Sequence, residues 1–82
     1  MNKLLNSTGR EAILAEVRAE MARQRVTQRT LAKSTDSTEA SVSRWLHGHR
    51  DIGLADLLAI CDQLDVSLAT LAARADSTKD AA

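Results

Sequence analysis

Proline, phenylalanine and tyrosine are absent from this 82-residue sequence, which holds only three glycines, one tryptophan and one cysteine. Each gap excludes something. With no proline and little glycine, few positions interrupt a helix, and the abundant Ala, Leu, Arg and Glu favour one. A core made from this alphabet is aliphatic. One ring is too few for stacking single-stranded bases, so that mode of binding is set aside. The lone Cys61 forms no internal disulfide, which fits a reducing compartment. No apolar run approaches membrane-spanning length. The first ten residues, with one Lys and two consecutive Leu, do not form a signal peptide, so a cytoplasmic location is expected.

What is present suffices for one domain and leaves no room for a second core. Hydrophobic residues make up 44% and charged residues 27%, the range of a folded globular chain rather than a disordered one. Formal net charge is zero, but it is unevenly spread. Residues 23–50 hold Arg23, Arg25, Arg29, Lys33, Arg44 and Arg50 against Asp36 and Glu39, a local excess of +4 that the acidic remainder balances. His47 and His49 fall in the same stretch and add to it at lower pH. A neutral chain polarised in this way can offer a cationic face to phosphate.

Periodicity predicts five helices. Residues 1–8 have no sustained period and are expected to form a loose arm. Thr8 and Glu11 have capping-box spacing, so the first helix is expected from Gly9 or Arg10 to Gln24. Its apolar face is Ile13, Val17 and Met21 with Leu14 flanking, and Arg10, Glu16, Arg18, Glu20 and Arg23 are expected to face water or partners. Thr27 caps a second, seven-residue helix that turns Leu31 and Ala32 inward. Ser34 to Ser37, with Asp36, is a polar turn. Thr38 caps a third helix whose buried side is Val42, Trp45 and Leu46, and Gly48 suits a left-handed stop behind it. The fourth helix spans Leu54 to Leu64, with Leu54, Leu57, Leu58, Cys61 and Leu64 as a stripe widened by Ile60 and Asp56 favouring its positive end. Ser67 caps a fifth carrying Leu68, Leu71 and an alanine face. The domain is thus placed at residues 9–75, with 76–82 as a disordered tail.

The pattern Thr27-Gln28-x-x-Leu31-Ala32, then Val42-Ser43-x-Trp45-x-x-Gly48-x-Arg50, resembles the Cro/repressor-like helix-turn-helix family of bacterial and phage regulators. The resemblance continues through Leu54, Leu57, Ile60, Leu64, Val66, Ser67, Leu68 and Leu71, covering about residues 10–73. It implies an all-α, five-helix, phage-repressor-like fold in which helices 2 and 3 form the DNA-binding unit. It also implies that the third helix, about residues 38–47, reads the major groove with Glu39, Ala40, Ser43 and Arg44 toward the bases. Thr27, Gln28, Thr38, Ser41, His49 and Arg50 then belong to the backbone contacts. Three positions depart from the family pattern: Asp36 replaces the usual turn glycine, Ser37 an apolar residue, and Leu46 a glutamate. Asp tolerates left-handed geometry, Ser37 trims the small core between the two helices, and Leu46 is available to pack on a neighbour.

The chemistry suits that role. The major groove admits a helix and shows a distinct pattern for each base pair. Arg44 can bond guanine O6 and N7 together, and Glu39 can accept from cytosine N4, although its charge repels phosphate. The bland readings are a solvated Arg44 and a Glu39 that merely favours the positive helix end. Ala40 offers a methyl to thymine or permits close approach. Gln28 and the unpaired amides beside it form a phosphate clamp. His47 and His49 with Asp51 or Cys61 lack the paired ligand set of a metal site. No phosphate loop, nucleophile elbow or carboxylate pair is visible, so neither an enzyme nor a cofactor is expected. The leading expectation is a repressor binding double-stranded DNA as a homodimer on a two-fold site, with helix 5 as the contact. Two alternatives stay open: an antitoxin holding a toxin protein, and a helical protein-interaction module without DNA binding.

Overall fold

Five helices follow one another along residues 7–81, the span that the computed structural model describes, with side chains described for residues 9–77. They are α1 (Ser7–Gln24), α2 (Gln28–Ser34), α3 (Glu39–Leu46), α4 (Leu54–Gln63) and α5 (Leu68–Ala81). The all-α, five-helix expectation holds, with α2 and α3 forming the helix-turn-helix. None of the described helices is long and apolar enough to cross a membrane.

Seven or eight residues are too few for a stable isolated helix, so α2 and α3 depend on their ends and their packing. Three helices start on one device. Thr27, Thr38 and Ser67 each accept a hydrogen bond from the amide three residues on, at 3.2, 3.1 and 3.0 Å. The hydroxyls at the two positions also meet, Thr27 with Thr30, Thr38 with Ser41 and Ser67 with Thr70. Such caps stabilise by about 1 kcal/mol each.

The stops are equally uniform. Arg25, Asp36, Gly48 and Asp65, one after each of α1 to α4, have φ of 58°, 53°, 74° and 53°. Behind each lies the same bond across the last turn: Val26 N to Met21 O, Ser37 N to Ala32 O, His49 N to Arg44 O and Val66 N to Cys61 O, at 2.8–3.0 Å. This is the Schellman stop, which pairs carbonyls that the helix leaves open. Gly48 and Asp36 take the left-handed geometry that the sequence leads one to expect. Asp65 is of the same type as Asp36, and Arg25 alone adopts it without a sequence signal.

One aliphatic cluster joins the helices: Val17 and Met21 of α1, Leu31 and Ala32 of α2, Val42, Trp45 and Leu46 of α3, Ile60 and Cys61 of α4 with Leu64 behind it, and Leu71 of α5. Cys61 is a buried small hydrophobe, and that burial pushes its thiol pKa up. Helix α1 packs mainly on α5 and also on α3, while α2 packs on α3 and α4.

Several expectations need correction. Helix α1 is already formed at Ser7, so Thr8 lies inside it and does not cap it; Gly9 is buried, and packing of the first turn overrides a weak local signal. The proposed arm otherwise falls on residues 1–6, outside the described residues. Leu14 is buried and Ile13 half-buried, the reverse of their expected ranks. On α4 the inward stripe is Leu57, Ile60, Cys61 and Leu64, while Leu54 and Leu58 stand 65% and 48% exposed. A repeat of threes and fours fits two adjacent stripes, and only one meets the core. Leu46 lies inside its own core, 1% exposed, and offers nothing to a neighbour. Helix α5 runs to Ala81, through the start of the expected tail, and no proline or glycine follows Gly53 to stop it.

Glu20 and Arg18, assigned to solvent, instead tie α1 to other helices. Glu20 is only 12% exposed; its carboxylate accepts from Gln24, Arg23 and Arg74, each at 2.8 Å, so it links α1 to α5. The Gln24 amide, then Arg23 and Arg74, hold its pKa down to about 2. Gln24 also donates to Leu64 O at 2.6 Å, and Arg18 donates to Leu46 O at the end of α3.

Because the folded pKa of Glu20 lies below its unfolded value of about 4.3, its stabilisation is present above that value and is lost as pH falls toward about 2. Unfolding titrations should therefore show stability dropping across this acid range, with a shallower drop in Glu20→Gln; identical slopes would refute the linkage. The stops make a second expectation. Arg25→Gly should raise stability by about 0.5–1 kcal/mol by removing a left-handed side chain. Gly48→Ala should lower it by about 1 kcal/mol, from backbone strain alone, since a Cβ there meets nothing within 4 Å. Denaturant midpoints of the two variants decide the matter.

Candidate nucleic-acid interface

Burial fixes the orientation of α3. Val42 is fully buried, and Trp45 and Leu46 are 7% and 1% exposed, so this side of the helix faces the core. At 100° per residue Ala40 and Arg44 lie opposite, with Ser43 on the flank, whereas Glu39 stands seven residues before Leu46 and nearly in line with it. Glu39, Ala40 and Arg44 are exposed and Ser43 is half-buried. Ala40 and Arg44 therefore share the outward side, and Glu39 is exposed because it is the first residue of the helix. Arg44 makes no side-chain hydrogen bond or ion pair among the described residues, which leaves its guanidinium available.

Three connections hold this side of α3 in place. The turn between α2 and α3 is closed by the Ser37 N to Ala32 O bond, with Asp36 in the left-handed position. Ser37, half-buried where an apolar residue is usual, spends its hydroxyl on Thr35 O at 3.2 Å, so the polar substitution is satisfied locally. At the far end the Arg18 guanidinium of α1 donates to Leu46 O, a carbonyl in the open last turn of α3. Ser34 Oγ donates to Gln63 Oε1 at 2.7 Å and ties α2 to α4. Helix α3 is thereby fixed at both ends to different neighbours.

The expected backbone set divides by what its groups have left to give. Thr27 and Thr38 are N-caps; Thr38 accepts from Ser41 N and donates its hydroxyl proton to Ser41 Oγ at 3.1 Å. Its donor is spent on the cap. Ser41 keeps its own hydroxyl proton, and Gln28, half-buried at the first position of α2, has an amide without a partner among the described residues. His49 and Arg50 follow the Gly48 stop and are exposed. The neighbouring His47 has its Nδ1 2.9 Å from Ser43 O, and Arg10 approaches the exposed Asp51 to 3.8 Å. Among the described residues no three His, Cys, Asp or Glu side chains cluster as metal ligands would.

The cationic stretch is less open than its composition suggests. Arg23 is bound to Glu20, and Arg29 of α2 lies 3.4 Å from Glu39 of α3. The second pair was invisible in the sequence because its members are ten residues apart on different helices. The same is true of Arg18, whose contact is 28 residues away.

A family model described as a Cro/C1-type HTH DNA-binding domain matches residues 16–77, from the middle of α1 through most of α5. It describes a DNA-binding regulatory family rather than an enzyme family. No curated protein and no solved structure matches the chain.

The cap geometry separates structure from contact at one residue. Thr38→Ala should cost about 1 kcal/mol of stability, and Thr38→Ser should keep most of it, because a serine hydroxyl caps as well. Chemical denaturation of both proteins measures this; equal losses would show that the hydroxyl bond does not support α3.

Proposed function

Because the chain belongs to the Cro/C1-type HTH DNA-binding domain family, we propose that it is a sequence-specific transcriptional repressor that binds double-stranded DNA as a homodimer. The observation that carries this reading is the two-sided character of α3: Val42, Trp45 and Leu46 inward, Ala40 and Arg44 outward, with Glu39 exposed at the helix start and Ser43 half-buried on the flank. In the major groove Arg44 donates to guanine O6 and N7, and Glu39 accepts from cytosine N4. Ala40 lets the helix approach closely, and Ser43 lies beside them. Gln28, Ser41, His49 and Arg50 bond phosphate, with the amides that begin α2. Thr27 and Thr38 act on the backbone contacts indirectly, by holding the helix starts. Repression follows from occupying the groove at a promoter.

A single module of this size buries a modest DNA surface, and pairing two half-sites one helical turn apart is the usual remedy. On α5 Leu71 is fully buried and Leu68 packs on the core, so only the exposed Ala69 and Ala73 of that face remain for a contact. Leu54 and Leu58, one turn apart on α4, are the large hydrophobic side chains left exposed among the described residues, and a second copy of the chain is the occupant proposed for them.

Selection from random duplexes, followed by affinities at two salt concentrations and a footprint, tests the whole reading. A selected site should contain two half-sites about 34 Å apart. Arg44→Ala should cost about 1–3 kcal/mol of discrimination at one guanine. Leu54→Ser with Leu58→Ser should reduce the footprint to one half-site. Absence of salt-sensitive binding to any duplex would overturn DNA binding; unchanged selectivity in Arg44→Ala would remove that residue from the reading set.

A further inference from the structure

Glu39 is out of place on a surface that meets phosphate. It is the first residue of α3, its side chain is 57% exposed, and a carboxylate there is repelled by the duplex it approaches. Arg29, the second residue of α2, lies across from it with Nε 3.4 Å from Glu39 Oε1 and its own side chain 77% exposed. This pair is the one ion pair between α2 and α3 among the described residues. Nε of Arg29 approaches Oε1 of Glu39 without a hydrogen bond, so the two are held together by charge while most of each side chain stays open.

We propose that Arg29 is a specificity-determining positioning residue, which restrains Glu39 by charge so that its carboxylate accepts from cytosine N4 at one base pair. The inference rests on the reading of α3 as the base-facing helix. In water an exposed pair of this kind contributes little, because both charges are solvated and screened. Against DNA the same pair loses water, its effective dielectric falls, and its attraction grows. Two consequences follow together. The guanidinium offsets the repulsion between Glu39 and phosphate, and it restricts the rotamers of a side chain that otherwise rotates freely. A carboxylate held in this way accepts only, which matches the N4 donor of cytosine; adenine N6 also donates, but the N7 acceptor beside it repels a carboxylate. Arg29 thereby acts on sequence, whereas an arginine that only touched phosphate would act on affinity at every sequence alike.

The test uses the full chain and duplexes selected by it, with each base pair of the selected site varied in turn. The wild type should prefer cytosine at one position of each half-site. Arg29→Ala should reduce that preference about fivefold or more, the low end of what one base-edge contact supplies, and leave the other positions unchanged. Glu39→Gln should move the preference toward adenine, since an amide both donates and accepts. Arg29→Ala combined with Glu39→Ala should be no less selective than Glu39→Ala alone, and Arg29→Lys should restore part of the preference. Unchanged melting temperatures confirm that the exposed substitutions leave the fold intact. If Arg29→Ala instead weakens binding uniformly, lowers the salt slope by about one and keeps the cytosine preference, Arg29 is a phosphate contact and the proposal falls while DNA binding stands. If the wild type binds no duplex in a salt-sensitive way, the functional reading falls and this proposal with it.

Discussion

The structure depends on ending four helices within one or two residues and reversing the chain behind each. Arg25, Asp36, Gly48 and Asp65 do this with one backbone geometry, a left-handed residue followed by an amide that bonds back across the last turn. Helices of seven and eight residues have no length to waste on a frayed turn, so a sharp stop is a condition of their existing at all. Each stop also sets the direction of the next helix. A change in one turn moves the apolar side of the following helix out of the common core. Three of the four are not glycine, and the left-handed geometry costs an L-residue about 1 kcal/mol or somewhat more. The core and the bonds across the turn must over-determine these positions for that cost to be borne.

Fixing α3 by its surroundings rather than by its own length has a functional consequence. Its start is held by Thr38, its middle by Val42 and Trp45, and its end by the Arg18 bond to Leu46 O. None of these groups is on the outward stripe. The residues that orient the helix and the residues free to touch bases are thus separate sets, so the outward residues can vary without loosening the fold. Leu46 illustrates the division: its side chain fills the core and its carbonyl accepts from Arg18.

Most of this was legible in the sequence where the determining interaction is local. Thr27, Thr38 and Ser67 act on amides three residues away, and Gly48 supplies its own conformational freedom, so a short window contains the whole cause. The buried side of α3 follows from spacing in the same way. What failed to show is set by distance. Arg25 carries no local mark of a left-handed stop, because the bond from Val26 and the packing of Val26 impose it. The choice between the two leucine stripes of α4 is made by packing on α2, which leaves Leu54 and Leu58 outside. Glu20 reads as a solvent-facing acid until Arg74, 54 residues on, arrives beside it.

Charge pairing then decides which cations are open to a polyanion. Counted by composition, residues 23–50 carry six basic side chains. In space Arg23 is committed to Glu20, within a network whose hydrogen bonds hold that acid ionised well below neutrality, and Arg29 lies against Glu39. Arg25, Lys33, Arg44 and Arg50 have no such partner among the described residues and are exposed, the last two on α3 or just beyond its stop. The open positive charge therefore runs from the stop of α1 to the loop behind α3. A zero net charge and a local cationic surface are compatible for this reason: Glu20 and Glu39 cover two of the six cations and leave the other four open.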